Sequence, residues 1–454
     1  MAERGKAKQP RPAPARLAAF QVLQEMERSS SAHSDTLLHG HATERLSEQD
    51  RNLTVTLVMG VLRWQLALDA VIRERLHSAA RLDAAVATAL RLGAFQLLLL
   101  DRIPAHAAIN DSVELTKRAG HRFAAGLVNA VLRGLAAGEK TRLDPVTAHP
   151  GWMVDRWRAE FGEAAAIAVC NHNQRTPRTT LRLPGDGPRE TGVAPGEFLT
   201  RAGVLGEQDE SAVAAMGEAA VERVAPGIDV VELRFQDEGS QLVAELAGEG
   251  RTILDCCAAP GGKTAILAER NPEARIVAGD ISHARLAQMR RNFARDPSTA
   301  RIECLEMDAT SLPFGAEFDL ILCDAPCSGT GTLARNPEIK LRLEAADLER
   351  QRRRQIAILR SAMRCVAPGG RLVYSTCSLE PEENQEVVQQ CLEAQSDMRL
   401  LPMAERIEAL ERAGAVHAGG AARLRAHALR GDFLQTVPGV QRCDGFFAAM
   451  FTRG

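Results

Sequence analysis

The sequence predicts an all-α domain followed by an α/β domain built on a doubly wound, mostly parallel sheet, and two observations carry that expectation. From about residue 15 to 142, apolar residues recur at helical spacing with almost no strand-like alternation. From 236 to about 395, short apolar runs ending in Asp, Gly or Cys alternate with helical stretches, the pattern of parallel strands covered on both faces. At 454 residues and 45% hydrophobic, the chain has material for about two to four such domains.

Taken in order, residues 1–14 are basic and Pro-rich but contain no apolar core segment, so they read as a disordered arm and not as a signal peptide. Helices follow at Leu17, Phe20 and Met26, at Leu53, Leu57, Val61 and Trp64, at Val86 and Leu90, and at Leu127, Val131 and Leu135. Pro104 is expected to end one helix, and Asn110-Asp111 to cap the next. The most apolar run, Leu97–Leu100, lies between Arg91 and Asp101 and falls far short of the roughly 20 residues of a membrane span, so no membrane partner is expected. Residues 1–150 hold 20 Lys+Arg against 15 Asp+Glu, and the remainder 36 against 43. Any nucleic-acid contact must therefore come from local basic patches and not from net charge.

From His149 the texture changes, with Trp152 and Trp157 in HPGWMVDRWRAEFG and a Gly/Pro-rich stretch near 185–197. We read 143–235 as a small linking subdomain with flexible loops. Arg178 and Arg182 sit there as surface residues, either solvated or within reach of a nucleic-acid backbone. Further on, Arg350, Arg352, Arg353 and Arg354 flank an apolar stripe of Ile356, Leu359, Met363 and Val366, and face either solvent or RNA. The low-complexity stretch 412–432 reads as a mobile loop.

In the α/β part, strands are expected at Thr252–Leu254, Ile276–Ala278, Ile302–Glu306, Phe318–Cys323 and Arg371–Tyr374. The turn Asp255 to Thr264, DCCAAPGGKT, has small residues that let backbone N–H groups and a helix N-terminus approach a ligand. It nearly fits the P-loop pattern, with Cys257 in place of the first glycine, so a nucleotide triphosphatase using Asp324 as its second acid is a rival reading. Against that rival, Asp280, Asp308 and Asp324 set three acids at successive strand ends. Such a row repels a triphosphate and suits a cationic nucleoside such as S-adenosylmethionine.

Two cysteines complete the constellation, Cys327 in DAPCSGTG and Cys377 in STCS, each just past a strand end in a polar setting. A lone cysteine is usually a packed thiol; two at neighbouring strand ends fit methylation at carbon 5 of a pyrimidine. That carbon is a poor nucleophile until a thiolate adds to carbon 6. The ten cysteines show neither a disulfide framework nor metal-ligand spacing, so a cytoplasmic protein with reduced thiols and no metal site is expected.

These stretches carry a resemblance. DCCAAPGGKT, FDLILCDAPCSGTGTLARNPEIK, LVYSTCSLEPEEN and DGFFAAMF resemble the motifs of RNA cytosine-5 methyltransferases of the NOL1/NOP2/Sun type. RIPAHAAINDSVELTKR with FAAGLVNAVLRGL resembles the NusB-like helical RNA-binding domains, which would turn Arg118, His121, Arg122 and Arg133 toward RNA phosphate. The resemblance implies a Rossmann-like, S-adenosylmethionine-dependent domain with a seven-stranded sheet over 236–454, behind an RNA-binding domain at 15–142. It implies Cys377 as nucleophile, Cys327 as the helper that releases the product, and Asp324 on the cytosine N3 side. Cys257, Ala258, Ala259, Pro260, Gly261, Gly262 and Lys263 would cradle S-adenosylmethionine, with Asp280 on its ribose, Asp308 on its adenine side, Asp324 alongside, and Lys263 orienting Asp324. The partner implied is small-subunit (16S) ribosomal RNA, with the cytosine at nucleotide 967 as target and a monomeric enzyme acting on it. Phe446 and Phe447 match the family's aromatic pair; the basic residue usual soon after it is absent, Met450 and Phe451 occupying that region. A non-catalytic RNA-binding protein is the remaining alternative.

Overall fold

The computed structural model describes residues 12–29, 32–38, 40–76, 82–138, 141–185, 193–206 and 234–454. Most of the expected arm at 1–14 and much of the expected linker between 185 and 235 lie outside these residues. The chain forms two compact units, one of residues 1–175 together with 336–342, the other of 176–335 and 343–454.

The first unit is helical. Its helices are α1 (Pro14–Arg28), α2 (Ser34–Leu38), α3 (His41–Glu44), α4 (Glu48–Arg73), α5 (Ala84–Leu99), α6 (Ala105–Arg118), α7 (Ala125–Ala137), α8 (Gly151–Phe161) and α9 (Glu163–Asn173). Ser47 caps α4 by accepting from Asp50 N, and Asp83 caps α5 by accepting from Ala85 N, each satisfying a free N–H of the first turn. Asn110 and Asp111 do not cap a helix: α6 begins after Pro104 and runs through both, and Asp111 pairs with Arg16 at 3.0 Å. Phe20, Leu57, Val61, Leu68, Leu90 and Val131 meet in one core. Among the described residues, α4 is long and apolar enough by composition to cross a membrane; its Leu57, Val58, Val61, Leu62 and Leu68 are instead buried in that core.

The segment Asn336–Arg342, distant in sequence, belongs to this unit. Its buried Glu338 accepts from the Ser34 N–H at 3.1 Å and the Ser34 hydroxyl at 3.0 Å. Arg342 donates to the carbonyls of Met26 and Ser29, near the C-terminal end of α1 where carbonyls lack helical partners, and to that of Ala32. Lys340, 2% exposed, donates to the Arg63 carbonyl at 2.7 Å. Burial lowers its amine to about 7, and burial followed by the Lys340 charge lowers His149 to about 3.

The second unit opens with a small antiparallel sheet ordered β2-β3-β1-β4, from β1 (Thr180–Arg182), β2 (Ala194–Pro195), β3 (Ala202–Val204) and β4 (Arg234–Phe235). Arg182 is not a surface residue. It is 1% exposed and bridges Glu245 and Glu269, both at 2.7 Å, which removes it from any nucleic-acid surface.

The main sheet holds β5 (Thr252–Asp255), β6 (Arg275–Asp280), β7 (Glu303–Glu306), β8 (Phe318–Asp324), β9 (Val366–Thr376), β10 (Met398–Leu401), β11 (Leu429–Arg430), β12 (Phe433–Gln435) and β13 (Phe447–Arg453). Its order is β11-β12-β13-β9-β8-β5-β6-β7, with β10 on β13. Strands β5 to β9 pair in parallel, and β13 runs antiparallel to β9. The described sheet therefore has nine strands where seven were expected, the extra pair being the β11–β12 hairpin. Helices α10 (Glu238–Ala247), α11 (Gly262–Arg270), α12 (His283–Phe293), α13 (Ile339–Arg342, in the helical unit), α14 (Ala345–Arg364), α15 (Gln385–Glu393), α16 (Met403–Arg412) and α17 (Ala418–His427) complete the order.

The expectation of a mobile loop at 412–432 is corrected by α17. His417 caps it by accepting from Gly420 N, and Gly420 lies so close to Phe198 that a Cβ would fall 2.6 Å from its Cα. Backbone contact that close needs glycine, which composition alone read as low complexity.

Lys340 gives this fold a pH dependence with a definite sign. The folded amine binds its proton only below about pH 7, whereas an unfolded lysine holds it up to about pH 10.4. Between those values the unfolded state carries the extra proton, so stability rises with pH. Lys340→Met is expected to flatten the urea-unfolding midpoint over pH 7 to about 10; an unchanged slope would refute this account.

Candidate active site

The carboxyl ends of the parallel strands converge on a cleft lined by Cys257, Ala259, Asp280, Asp308, Asp324, Cys327, Arg354 and Cys377, among others. Asp280 ends β6, 5% exposed, and its carboxylate accepts from the Ser282 N–H at 2.8 Å. Asp308 follows β7, exposed, and accepts from the Thr310 N–H at 2.9 Å and hydroxyl at 2.8 Å; the backbone bond comes first among the causes that hold its carboxyl low. The turn from Cys257 to Lys263 links β5 to α11. Its Gly261 has φ +104, and a Cβ there would sit 2.7 Å from the Phe293 ring, so glycine is required twice over. Ala258 N donates to Gly279 O at 2.8 Å, which stitches this turn to β6.

Lys263 is the group that decides between rival chemistries. Its Nζ lies 2.7 Å from Asp324 Oδ2 and 4.9 Å from the centroid of the Phe446 ring. Against the lowering effect of burial, the Asp324 carboxylate holds the Lys263 pKa above its usual value. A P-loop lysine must reach a phosphate, and this one is engaged by a carboxylate. The other Asp324 oxygen accepts from the Ser375 hydroxyl at 2.6 Å. Beneath the turn, burial raises the Asp255 carboxyl to about 7 although Thr264 donates to it at 2.7 Å.

The two cysteines meet. Cys327 Sγ and Cys377 Sγ are 3.4 Å apart, each half-buried. Parallel pairing of β8 with β9 sets Asp324 opposite Ser375, so the chain segments that leave the two strands carry both sulfurs side by side. The Cys327 thiol is pushed far up by its hydrogen bond to Cys377, then by burial, then by the charges of Cys377 and Glu383. Close backbone contacts support the pair: Gly331 N donates to Cys377 O at 2.9 Å, and Gly445 N to Gly331 O at 2.8 Å.

Of the expected site residues, Cys257, Ala259, Asp280, Asp308, Asp324, Cys327 and Cys377 line this cleft, Lys263 reaches it through its bond to Asp324, and Pro260, Gly261 and Gly262 line a second pocket with Phe235, Gln236 and Phe293. Sequence reasoning missed Ser375 and Glu383, whose carboxylate receives the Ser328 N–H at 2.8 Å; nothing in their local sequence distinguishes them from turn residues. Of the arginine run, Arg350 pairs with Asp347, Arg353 with Glu349, and Arg352 with Glu349 and Glu386, while Arg354 lines the cleft.

Known proteins resemble this chain over most of its length. A family profile described as "16S rRNA methyltransferase RsmB/F" matches residues 244–452, and one for the NusB family matches 13–137. The chain is 31% identical to ribosomal RNA small subunit methyltransferase B of Xanthomonas campestris pv. campestris, over 96% of this chain and 97% of that protein. It is 36% identical to the protein of the same name from Pseudomonas putida, over 80% of this chain and 85% of that one. In fold it is similar to the crystal structure of PH0851, with a TM-score of 0.73 and 20% identity over 98% of this chain and all of that one.

Gly331 gives a direct check on the packing beneath the sulfurs, because a Cβ there would lie 2.3 Å from Gly445 O. Gly331→Ala is expected to cost about 1–3 kcal/mol in urea unfolding through overpacking. A wild-type midpoint would show that the contact is not tight.

Proposed function

The chain belongs to the 16S rRNA methyltransferase RsmB/F family, and we propose that it methylates carbon 5 of a cytosine in small-subunit ribosomal RNA through a covalent Cys377 adduct. The observation that carries this reading is the 3.4 Å approach of two thiols beside a carboxylate–lysine pair. Methylation of an exocyclic nitrogen or a ribose hydroxyl would need neither sulfur.

The cleft suits S-adenosylmethionine, which supplies an electrophilic methyl group on a sulfonium. Its acids, Asp280, Asp308 and Asp324, favour a cation. The turn Cys257–Lys263 has the small residues and helix N-terminus that admit the amino-acid end; Asp280 would hold the ribose and Asp308 the adenine side.

For the base, the Cys377 thiolate adds to carbon 6 and forms a C–S bond. The electron pair of the 5,6 double bond moves to the 4,5 position and the C4=N3 pair moves onto N3, which takes up a proton from solvent; Asp324, oriented by Lys263 and Ser375, accepts a hydrogen bond from that N3–H. Carbon 5 is then enamine-like and takes the methyl group. Solvent then takes the carbon 5 proton, the C5–H electron pair reforms the 5,6 double bond, the C–S bond breaks with its pair returning to sulfur, and N3 gives back its proton. Cys327, adjacent to that bond, assists this elimination.

All these residues lie on one chain, so the reading requires no second copy, and it requires a cytoplasmic setting that keeps both thiols free. Residues 15–142 would bind RNA, with exposed Arg118, Arg122 and Arg133 on phosphates and His121, paired with Asp83 at 3.0 Å, beside them. The segment 143–235 would link that domain to catalysis in 236–454. The target at nucleotide 967 rests on the family resemblance.

Radiolabelled S-adenosylmethionine and small-subunit ribosomal RNA test the mechanism. Wild type is expected to label the RNA, Cys377→Ala to fall to background, and Cys327→Ala to leave a protein–RNA adduct on a denaturing gel. Full activity in Cys377→Ala would sink the covalent route.

A further inference from the structure

We propose that Glu383 is the positioning residue of the two-thiol centre, its buried carboxylate fastening the two cysteine-bearing turns together and thereby setting the distance between Cys327 and Cys377. The assignment of a role to that distance rests on the reading above; the fastening itself does not.

Glu383 is fully buried, and among the described residues only neutral donors bond its carboxylate. Oε1 accepts from the Ser328 N–H at 2.8 Å and from Gln355 Nε2 at 3.0 Å. Oε2 accepts from the hydroxyls of Ser328 and Ser378. Ser328 directly follows Cys327, and Ser378 directly follows Cys377. One carboxylate therefore grips the residue next to each sulfur.

The surroundings lock the grip. Gln355 Nε2 also donates to Pro326 O at 3.0 Å, on the other side of Cys327. The Tyr374 hydroxyl donates to Glu383 O at 2.7 Å, tying the residue to β9. Asn384, its neighbour, donates to Ser378 O at 2.9 Å and accepts from Thr376 at 2.5 Å.

A buried carboxylate without a cation is costly unless donors surround it, so chemistry that merely closed a turn would be served by a neutral side chain. What a carboxylate does here and a carboxamide cannot is accept on both oxygens at once, Oε1 from the Ser328 and Gln355 N–H groups and Oε2 from the hydroxyls of both turns. In Glu383→Gln the NH2 end faces either the Ser328 and Gln355 N–H groups, which cannot accept, or the serine hydroxyls, both of which must reverse from donor to acceptor although Ser378 Oγ already accepts from the Glu380 N–H at 3.1 Å. The negative charge has a second effect in the right place, since it helps to keep the proton on Cys327.

Bridging by dibromobimane, which fluoresces once two neighbouring thiols have displaced both its bromines, reads the sulfur separation without reference to methylation. Full-length wild type is expected to bridge Cys327 and Cys377, with Cys327→Ala as the blank. Glu383→Gln is expected to bridge at least about tenfold more slowly, and Ser378→Ala, which removes one donor, to fall between. In the methylation assay Glu383→Gln is expected to lose about 100-fold in kcat while KM for S-adenosylmethionine stays within about twofold. Wild-type bridging in Glu383→Gln overturns the proposal. So does slowed bridging that appears in both variants only where urea unfolding shows a population of unfolded protein. If bridging responds as expected but wild type never labels RNA, the clamp stands and the methyltransfer reading falls.

Discussion

Register between two parallel strands is the constraint on which the site depends. Pairing of Asp324 with Ser375 at the ends of β8 and β9 brings an acid, its hydroxyl donor and two sulfur-bearing turns to one point. Side chains alternate along a strand, so a slip of one residue would turn Asp324 and Ser375 to opposite faces and break their bond. The pairing is held from both sides: β5 continues the sheet beyond β8, and β13 pairs along β9 from Arg371 to Thr376.

Charge is distributed over this frame with equal economy. Three carboxylates face the cleft: Lys263 is committed to Asp324 and stacked on Phe446, Arg285 pairs with Asp280 at 3.4 Å, and Arg354 lines the wall. The aromatic pair near the C-terminus thus has two functions: Phe446 backs the lysine, while Phe447 packs edge-on against Tyr374 inside the core. A cation held this way orients an acid and is not available to clamp a phosphate, which separates two functions that the local sequence of the turn leaves open.

Much of this was legible in the sequence because it is local. Strand ends announce themselves where an apolar run meets Asp, Gly or Cys, and the acids and thiols fall at those ends. Arg182 was misread because a charged residue in a Thr/Leu-rich stretch reads as surface; only the fold brings Glu245 and Glu269 to it. Glu383 was missed for the same reason in reverse, since its donors come from positions 328, 355 and 378. The helix at 418–427 hid behind glycine and alanine, whose low helical amphipathy conceals how tightly they let it sit on Phe198. Long-range partners, and not propensities, were what a linear reading lacked.

The segment Asn336–Arg342 has a consequence for biosynthesis. It completes a helical unit whose remaining residues end at Arg175, about 160 positions earlier in the chain. A ribosome adding roughly 5–20 residues per second needs on the order of ten to thirty seconds to make up that interval. Throughout it, the Ser34 N–H, the Arg63 carbonyl and the carbonyls at the end of α1 lack Glu338, Lys340 and Arg342. The helical unit thus reaches its final form only after β8 and the Cys327 turn have been synthesised, so the order of translation makes the first domain wait for the second.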